Sequence, residues 1–170
     1  MTLAMLTMSC PLGDLRLYAC DDELVGVYLP DQKPAFDAAA SRSKILTAAA
    51  DQLAEYFAGE RTVFELALGA RGTGFQERVW HALSGIPYGE TCSYGSLASS
   101  IGRPSASRAV GAANAKNPIS IIVPCHRVIA VSGELTGYAG GMPAKRWLLD
   151  HERRRATRQT SALCLSSTVC

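Results

Sequence analysis

The residues best suited to chemistry are a cysteine and a histidine in direct succession, Cys125 and His126, in the segment IIVPCHRV. Residues 121–123 are a continuous β-branched run, which predicts a strand buried on both faces, and Pro124 cannot donate to a sheet, so the strand ends there. Consecutive side chains of a strand point to opposite faces, so the two residues can cooperate only if the chain turns or a water bridges them. We expect one or both.

A cysteine nucleophile needs activation, because a free thiol with a pKa of about 8.5 is only slightly ionised near neutrality. His126 and Arg127 are the nearest groups that supply a base or a positive field. The alternative is that Cys125 is a small buried hydrophobic residue and His126 a surface residue. The succession of Pro, Cys, His and Arg favours the nucleophile.

A carboxylate that suits His126 lies further along the chain. Glu152 follows Leu148 and Leu149 at helical spacings of four and three, so it shares their core-facing side of a predicted last helix. An inward carboxylate needs a partner, and a Cys, His, Glu relay would orient the imidazole and help to deprotonate the thiol. The alternative is a surface glutamate.

The composition is that of a globular protein, with 170 residues of which 48% are hydrophobic and 19% charged. This excludes a disordered or collagen-like chain and allows one substantial domain or two small ones. No apolar stretch approaches the roughly 18 residues that span a bilayer, and the first ten residues lack the long apolar region of a secretory signal. We expect a cytoplasmic protein without a membrane partner.

The cysteines show no metal-binding pattern, since none forms a CxxC pair or a Cys/His array with zinc-ligand spacing. The six are Cys10, Cys20, Cys92, Cys125, Cys164 and Cys170. We predict free thiols, no metal and no cofactor.

Charge is distributed unevenly. Residues 1–70 carry 5 Lys and Arg against 10 Asp and Glu, whereas residues 71–170 carry 12 against 5. A basic second half favours a polyanionic partner such as nucleic acid, although chance unevenness of a solvated surface remains an alternative.

The hydrophobic pattern predicts an α+β fold. Alternation around residues 15–29 predicts a hairpin, and apolar spacings of three and four over residues 45–57 predict a helix ended by Gly59. The glycine-rich residues 66–74 then connect this unit to the second half. We predict a small N-terminal α/β domain, residues 1–70, packed on a mostly helical domain, residues 71–158.

The second half contains a candidate helix-turn-helix. Before this motif, Thr73 and Gln76 fit a capping box for the first helix of the second half. Two short helices are then predicted at residues 93–100 and about 105–115, separated by a turn with Gly102. A glycine-rich loop, residues 133–141, a last helix beginning near Pro143 and a disordered tail, residues 159–170, complete the prediction.

The second short helix suits close approach to DNA, because it consists of small residues and one arginine, Arg108. Arg108 can contact phosphate or reach into the base stack, or it can be an exposed salt-bridge partner.

At this level of detail the sequence resembles the O6-alkylguanine-DNA alkyltransferase family. The resemblance rests on SYGSLA (93–98), SRAVGAAN (107–114), NPISIIVPCHRVI (117–129), TGYAGG (136–141) and KRWLLDHE (145–152). It is dense over residues 73–152, loose in the first 70 and absent from the tail.

The resemblance implies direct DNA repair, in which an O6-alkylated guanine is flipped out of double-stranded DNA and its alkyl group moves irreversibly to the protein's own cysteine. It implies that Cys125 is the acceptor, His126 its base through a water, and Glu152 the carboxylate that orients His126. Asn117 would form a hinge between the recognition helix and the active-site strand, and Tyr94 would donate its hydroxyl to the leaving base.

The resemblance also implies a DNA face and a base pocket. Arg108 would be the finger that replaces the flipped base, and the remaining predicted DNA contacts are Ser93, Ser107, Ala109, Gly111 and Ala112. The pocket would be walled by Pro124, Val128, Tyr138 and Ala139. Ala139 stands where some relatives have a hydroxyl residue, so only its backbone amide could bind the O6 atom there.

Two other functions fit parts of the pattern. A thiol hydrolase would also use cysteine, histidine and a carboxylate, but no oxyanion hole is legible. A non-catalytic lesion sensor would use the helix-turn-helix alone, and the presence of Cys125 ranks it lower. We expect a monomeric, single-turnover transferase.

Overall fold

A three-stranded antiparallel sheet begins the chain in the computed structural model, which describes residues 3–34 and 37–166. Its strands are β1 (Leu3–Cys10), β2 (Gly13–Cys20) and β3 (Glu23–Tyr28), in that spatial order. The predicted hairpin is confirmed as β2 and β3. Strand β1, which the sequence pattern does not predict, pairs with β2 along its whole length.

One helix, α1 (Lys44–Ala58), packs against this sheet. The Ser43 side chain accepts a hydrogen bond from the Leu46 amide at its start, and Gly59, with φ of +76°, ends it in the left-handed conformation that glycine adopts without penalty. The predicted helix and its terminating glycine are therefore confirmed. Leu53 and Tyr56 on its inner face are completely buried.

The second half is mostly helical. Helix α2 (Gly74–Ser84) starts with the predicted capping box, in which the Thr73 side chain and the Gln76 side chain each bond the other's backbone amide. Helices α3 (Tyr94–Ser100) and α4 (Ser107–Ala115) follow.

Helices α3 and α4 form the predicted pair of short helices. Gly102 in the turn between them has φ of +70°. The Trp80 indole of α2 donates to the Ala113 carbonyl of α4 at 2.9 Å, which fixes α4 against the core. Two short strands, β4 (Cys92–Ser93) and β5 (Val128–Ile129), pair in parallel. The α+β fold class is confirmed.

The prediction of a strand at residues 121–123 is wrong. This segment pairs with β3 at Ile119, just before the predicted strand, through Val27 N to Pro118 O at 2.9 Å and Ser120 N to Val27 O at 3.1 Å. It then turns sharply at Ile121, whose φ is +72°. The run is apolar because the turn is buried, and a short apolar run does not by itself distinguish a buried strand from another buried segment.

The last helix, α5 (Met142–Ser166), has Pro143 in its first turn, as predicted. It continues into the segment predicted to be a disordered tail, so residues 159–166 are helical and that part of the prediction needs correction. Residues 167–170 lie outside the described residues. The helix packs on the segment Cys125–Arg127, which brings Glu152 against His126.

Candidate functional site

Cys125 lies in a turn, as the sequence analysis expected for cooperation with His126. It begins a short 3-10 turn, Cys125–Arg127, directly after Pro124, and it is only 3% exposed. Its amide donates to the Val123 carbonyl at 2.8 Å, and its carbonyl accepts from the Asn114 side chain at 3.3 Å. The thiol is thus held on a backbone fixed from both sides.

The surroundings of Cys125 keep it protonated at rest. Burial raises the pKa of the thiol, while the side chains of Asn117 and Tyr138 and the positive charge of Lys145 act in the opposite direction. A thiol in this position needs a base to remove its proton before it attacks an electrophile.

His126 and Glu152 form a buried pair. His126 Nε2 lies 2.7 Å from Glu152 Oε1, and both residues are 0% exposed. Burial lowers the pKa of His126, against the effect of Glu152, so the imidazole is neutral. Because Nε2 donates to the carboxylate, Nδ1 carries the lone pair, and among the described residues no group bonds to this buried Nδ1. Nδ1 can therefore accept a proton through a bridging water.

Glu152 is the centre of a larger network than the sequence suggested. Its carboxylate accepts from Arg127 Nε at 2.9 Å and Nη2 at 3.0 Å, from the Tyr56 hydroxyl at 2.7 Å and from the Gly89 amide at 3.1 Å, besides His126. Although burial opposes it, the hydrogen bonds from His126 and Arg127 and the positive charge of Arg127 hold the pKa of Glu152 well below its usual range. The carboxylate is ionised and fixed.

Arg127 does not serve the thiol directly, which the sequence left open. Besides Glu152, its guanidinium donates to the Ile86 carbonyl at 2.6 Å and lies over the Tyr88 ring at 5.7 Å. The buried arginine neutralises the carboxylate that orients His126. The Cys-His-Arg succession in the sequence does not indicate that Arg127 binds Glu152 and not the thiol.

Asn117 links the end of α4 to the turn before Cys125. Its side-chain amide donates to the Val123 carbonyl at 2.9 Å, and its side-chain oxygen accepts from the Ile119 amide at 3.1 Å. Asn117 is buried, so these bonds hold the irregular backbone around Ile121. A β-branched residue with positive φ costs about 1–3 kcal/mol, which the surrounding bonds must offset.

Lys145 is a site residue that sequence reasoning missed. Its ammonium group is completely buried and donates to the Val128 carbonyl at 2.6 Å and the Thr136 carbonyl at 3.0 Å. Burial lowers its pKa, whereas the nearby Cys125 raises it. The KRWLL pattern marks an amphipathic helix, and nothing in it indicates that this lysine points inward.

The predicted pocket residues are buried to different degrees. Pro124 and Val128 are buried, Tyr138 is half-buried and Ala139 is exposed. Burial, and next the neighbouring Cys125, raise the pKa of Tyr138 well above its ordinary value, so its hydroxyl stays protonated.

Tyr94 stands at the start of α3, half-buried. Its hydroxyl accepts a bond from Thr136 Oγ1 at 3.4 Å, which connects α3 to the glycine-rich loop. Its ring lies beside Gly111 of α4. The predicted proton donor therefore sits between the helix-turn-helix and the loop.

The predicted DNA contacts lie on and around α4. Arg108, Ala109 and Ala112 are exposed, and Ser107 and Gly111 are half-buried. Ser93 caps α3 by accepting from the Ser96 amide at 3.0 Å, so its hydroxyl already has a structural task. Among the residues whose side chains the structure describes, 3–34 and 37–158, no salt bridge engages Arg108, which leaves its guanidinium available to a ligand.

The described residues contain neither a membrane-spanning helix nor a cluster of metal ligands. None of the helices there is long and apolar enough to cross a bilayer. No group of three or more His, Cys, Asp or Glu in that part of the chain is arranged to hold a metal ion.

The fold and the site together define a helix-turn-helix protein with a buried thiol next in sequence to a histidine that is paired with a buried carboxylate. Comparison with known proteins assigns the family. Residues 4–70 match the ribonuclease-like domain of 6-O-methylguanine DNA methyltransferase, and residues 74–154 match the DNA binding domain of 6-O-methylguanine DNA methyltransferase. The chain belongs to the 6-O-methylguanine DNA methyltransferase family, as the sequence resemblance predicted.

Individual relatives agree along most of the chain. A methylated-DNA--protein-cysteine methyltransferase of Mycolicibacterium paratuberculosis is 49% identical over 88% of this chain and 92% of its own, and one of Mycobacterium bovis is 51% identical with the same coverage. The crystal structure of Mycobacterium tuberculosis OGT in complex with DNA superposes with a TM-score of 0.84 at 48% identity, over 91% of this chain and 94% of that one.

Proposed function

We propose that this protein repairs DNA directly by moving the alkyl group of an O6-alkylguanine to Cys125. Membership of the family makes it a methylated-DNA--protein-cysteine methyltransferase that acts on DNA. The observation that carries the assignment of the acceptor is the position of Cys125, which is buried and next in sequence to a neutral histidine whose free nitrogen is set by Glu152.

The reaction balances without a cofactor. The sulfur of Cys125 attacks the alkyl carbon, a C–S bond forms and the C–O bond to guanine breaks. The thiol proton passes through a water to His126 Nδ1, while the departing guanine gains negative charge and accepts a hydrogen bond from the Tyr94 hydroxyl. One proton, returned through water from the imidazolium, then neutralises the guanine anion, so that His126 ends neutral. The products are unmodified guanine in DNA and a thioether, which has no leaving group for release, so each molecule acts once.

Access to the lesion requires base flipping, because O6 of a stacked and paired guanine lies out of reach of a buried thiol. Helix α4 would lie against the groove with its small residues, and Arg108 would fill the gap in the stack. Unstacking a base costs a few kcal/mol, so an inserted side chain and a pocket that binds the extruded base lower the energy of the flipped state. The exposure of Arg108 supports this role.

The pocket for the extruded guanine would be formed by Pro124, Val128, Tyr138 and Ala139. Asn117 would act as the hinge that holds the backbone between α4 and Cys125. With alanine at position 139, the backbone amide would be the only group there to bond the O6 atom. Around α4, the supporting DNA contacts would be Ser93, Ser107, Ala109, Gly111 and Ala112.

The remaining proposals concern organisation. Residues 1–70 would form the N-terminal domain and residues 71–158 the DNA-binding and alkyl-transfer domain. We propose that the protein acts as a monomer in the cytoplasm, on double-stranded DNA that contains alkylated guanine.

The test is the intact mass of the protein after incubation with duplex DNA containing O6-methylguanine, followed by peptide mapping. We expect the mass of one methyl group, on Cys125, and product that stops at one per protein molecule. Unchanged mass with the lesion tightly bound would indicate a non-catalytic sensor. Product in excess of protein would indicate a multiple-turnover enzyme such as a hydrolase.

A further inference from the structure

Tyr56 reaches from the N-terminal sheet-and-helix unit into the active-site network. It lies in the last turn of α1, is completely buried, and donates its hydroxyl to Glu152 Oε1 at 2.7 Å. This is the same oxygen that accepts the Nε2 proton of His126. The two donors are therefore coupled through one atom.

Tyr56 is held on more than one side. Its backbone carbonyl accepts from His151 Nε2 at 2.8 Å, one residue before Glu152 on α5. Its ring meets Phe64 at 5.6 Å and Tyr88 edge-on at 6.0 Å between centroids. The hydroxyl is thus aimed at the carboxylate by contacts that do not themselves involve the carboxylate.

The direction of the hydrogen bond is fixed. Burial, followed by the charge of Glu152, raises the pKa of Tyr56 well above its ordinary value, so the phenol remains a donor. Glu152 is ionised and can only accept. A charge-assisted bond of this kind is stronger than a neutral one, and it restrains the carboxylate that sets the tautomer of His126.

A structural role alone does not account for this contact well. Arg127 already neutralises Glu152 with two hydrogen bonds, and the Gly89 amide binds the second oxygen. Tyr88 shows that the same aromatic cluster tolerates a buried hydroxyl without a hydrogen-bond partner among the described residues. The hydrogen bond from Tyr56 is therefore not needed to neutralise the Glu152 carboxylate.

We infer that Tyr56 is a positioning residue for alkyl transfer, through which the N-terminal unit holds Glu152 and His126 in the geometry that deprotonates Cys125. The inference rests on the proposed function of Cys125. By this inference, residues 1–70 contribute to alkyl transfer through the Tyr56 hydroxyl.

The experiment compares Tyr56→Phe with the wild type and with Tyr88→Phe as a matched control. Each substitution removes one buried phenolic hydroxyl and keeps the ring, but only Tyr56 donates to Glu152. Single-turnover methyl transfer from O6-methylguanine duplex is followed across pH, with thermal unfolding and lesion-duplex binding measured in parallel. Rates are taken per molecule that becomes methylated, so partial unfolding lowers the amplitude and leaves the rate constant unaffected.

We expect Tyr56→Phe to transfer methyl about tenfold more slowly at its optimum, the lower range of what a hydrogen bond to a charged group contributes. The groups that face Glu152 are Tyr56, Gly89, His126 and Arg127, with Tyr88 nearby. Without the Tyr56 hydroxyl, the negative charge of Glu152 is less compensated and stabilises a protonated His126 more strongly. The pKa of His126 therefore rises. The acid limb of the rate profile therefore moves to higher pH, while Tyr88→Phe follows the wild type.

Three results would overturn the inference. These are an unchanged rate and pH profile in Tyr56→Phe, the same change in Tyr88→Phe, or a lower unfolding temperature with no shift of the acid limb. Failure of the proposed function is distinguishable, because it would appear in the wild type as the absence of methyl on Cys125. Wild-type methylation of Cys125 together with unaltered Tyr56→Phe kinetics would reject the role of Tyr56 alone.

Discussion

His126 Nε2 and Glu152 Oε1 lie 2.7 Å apart although 26 residues separate them in sequence, and both side chains are buried. This contact determines which imidazole nitrogen carries the proton. It therefore also determines which nitrogen is free to accept a proton as a general base. It also makes the last helix part of the site, since Glu152 is one turn beyond the core leucines of α5.

Replacement of the acceptor should separate binding from chemistry. Cys125→Ala should bind lesion-containing duplex with an affinity close to that of the wild type and transfer no methyl group, because only the sulfur is lost. Binding is measured by fluorescence anisotropy and transfer by mass spectrometry. Cys92→Ala, which removes a half-buried thiol elsewhere, is the control and should remain active. Residual transfer in Cys125→Ala would refute the assignment of the acceptor.

Removal of the buried cation beside Glu152 should be costly to folding. Arg127→Met leaves the Glu152 carboxylate without its main counter-charge, and breaking a buried ion pair in this way costs about 3–5 kcal/mol. The free energy of unfolding from urea titration measures this loss. Arg61→Met is the control, because its pairs with Glu55 and Glu65 are partly exposed and such pairs contribute about 1 kcal/mol or less. Equal losses in both variants would contradict a special role for Arg127.

Local signals in the sequence predicted the elements well where short-range chemistry determines them. The Thr73 capping box, the Gly59 terminus and the inward side of Glu152 each depend on spacings of three or four residues. The strand expected at residues 121–123 failed because a fully buried turn and a buried strand are equally apolar. Its conformation depends on Asn117 and on the edge of β3, which lie outside the segment.

Only part of the site could be predicted from the sequence, because its other contacts also depend on residues outside the local segment. Adjacent Cys125 and His126 and a helix-borne Glu152 could be identified from residue type and periodicity. Tyr56 lies 96 residues from Glu152, and no local pattern marks it as a donor to that carboxylate. The sequence pattern of Lys145 is that of a surface residue on an amphipathic helix, and its role as a buried donor depends on the carbonyls of Val128 and Thr136, which lie outside the helix.

Stability should fall with acid in two stages. The pKa of His126 is lowered by folding, so the unfolded chain binds its proton first and the stability from the neutral buried imidazole declines as pH falls below about 6.5. The pKa of Glu152 is also lowered, so its contribution is complete above about pH 4.5, the ordinary value, and is lost as pH falls further.

Urea titrations at pH 7.5, 6.5 and 5.5 test the first stage. His126→Gln, whose amide can still donate to Glu152, should lose less stability over this range than the wild type, because it has no imidazole to charge. His81→Gln removes an exposed histidine and should follow the wild type. A wild-type slope retained in His126→Gln would assign the pH dependence to other groups.

Binding to undamaged duplex should weaken steeply with salt. The basic second half, with 12 Lys and Arg against 5 Asp and Glu, would release one set of counterions for each phosphate it neutralises. The logarithm of the affinity should fall with the logarithm of salt concentration by about 0.9 per phosphate contacted. Arg42→Ala, in the acidic half, should leave the slope unchanged. A flat response between about 50 and 200 mM salt would argue against phosphate contacts.

Loss of the proposed finger should matter only where a base has to leave the stack. Arg108→Ala should slow methyl transfer from duplex by about tenfold, part of the few kcal/mol that unstacking costs, while reaction with a free O6-alkylguanine base changes little. Both rates are measured at saturating substrate, so that affinity does not enter. Arg103→Ala removes the same charge from the exposed turn before α4 and should keep both rates near wild type. Because a free base has no stack to replace, equal losses on duplex and free base in Arg108→Ala would show that this arginine shapes the pocket and not the flipped state.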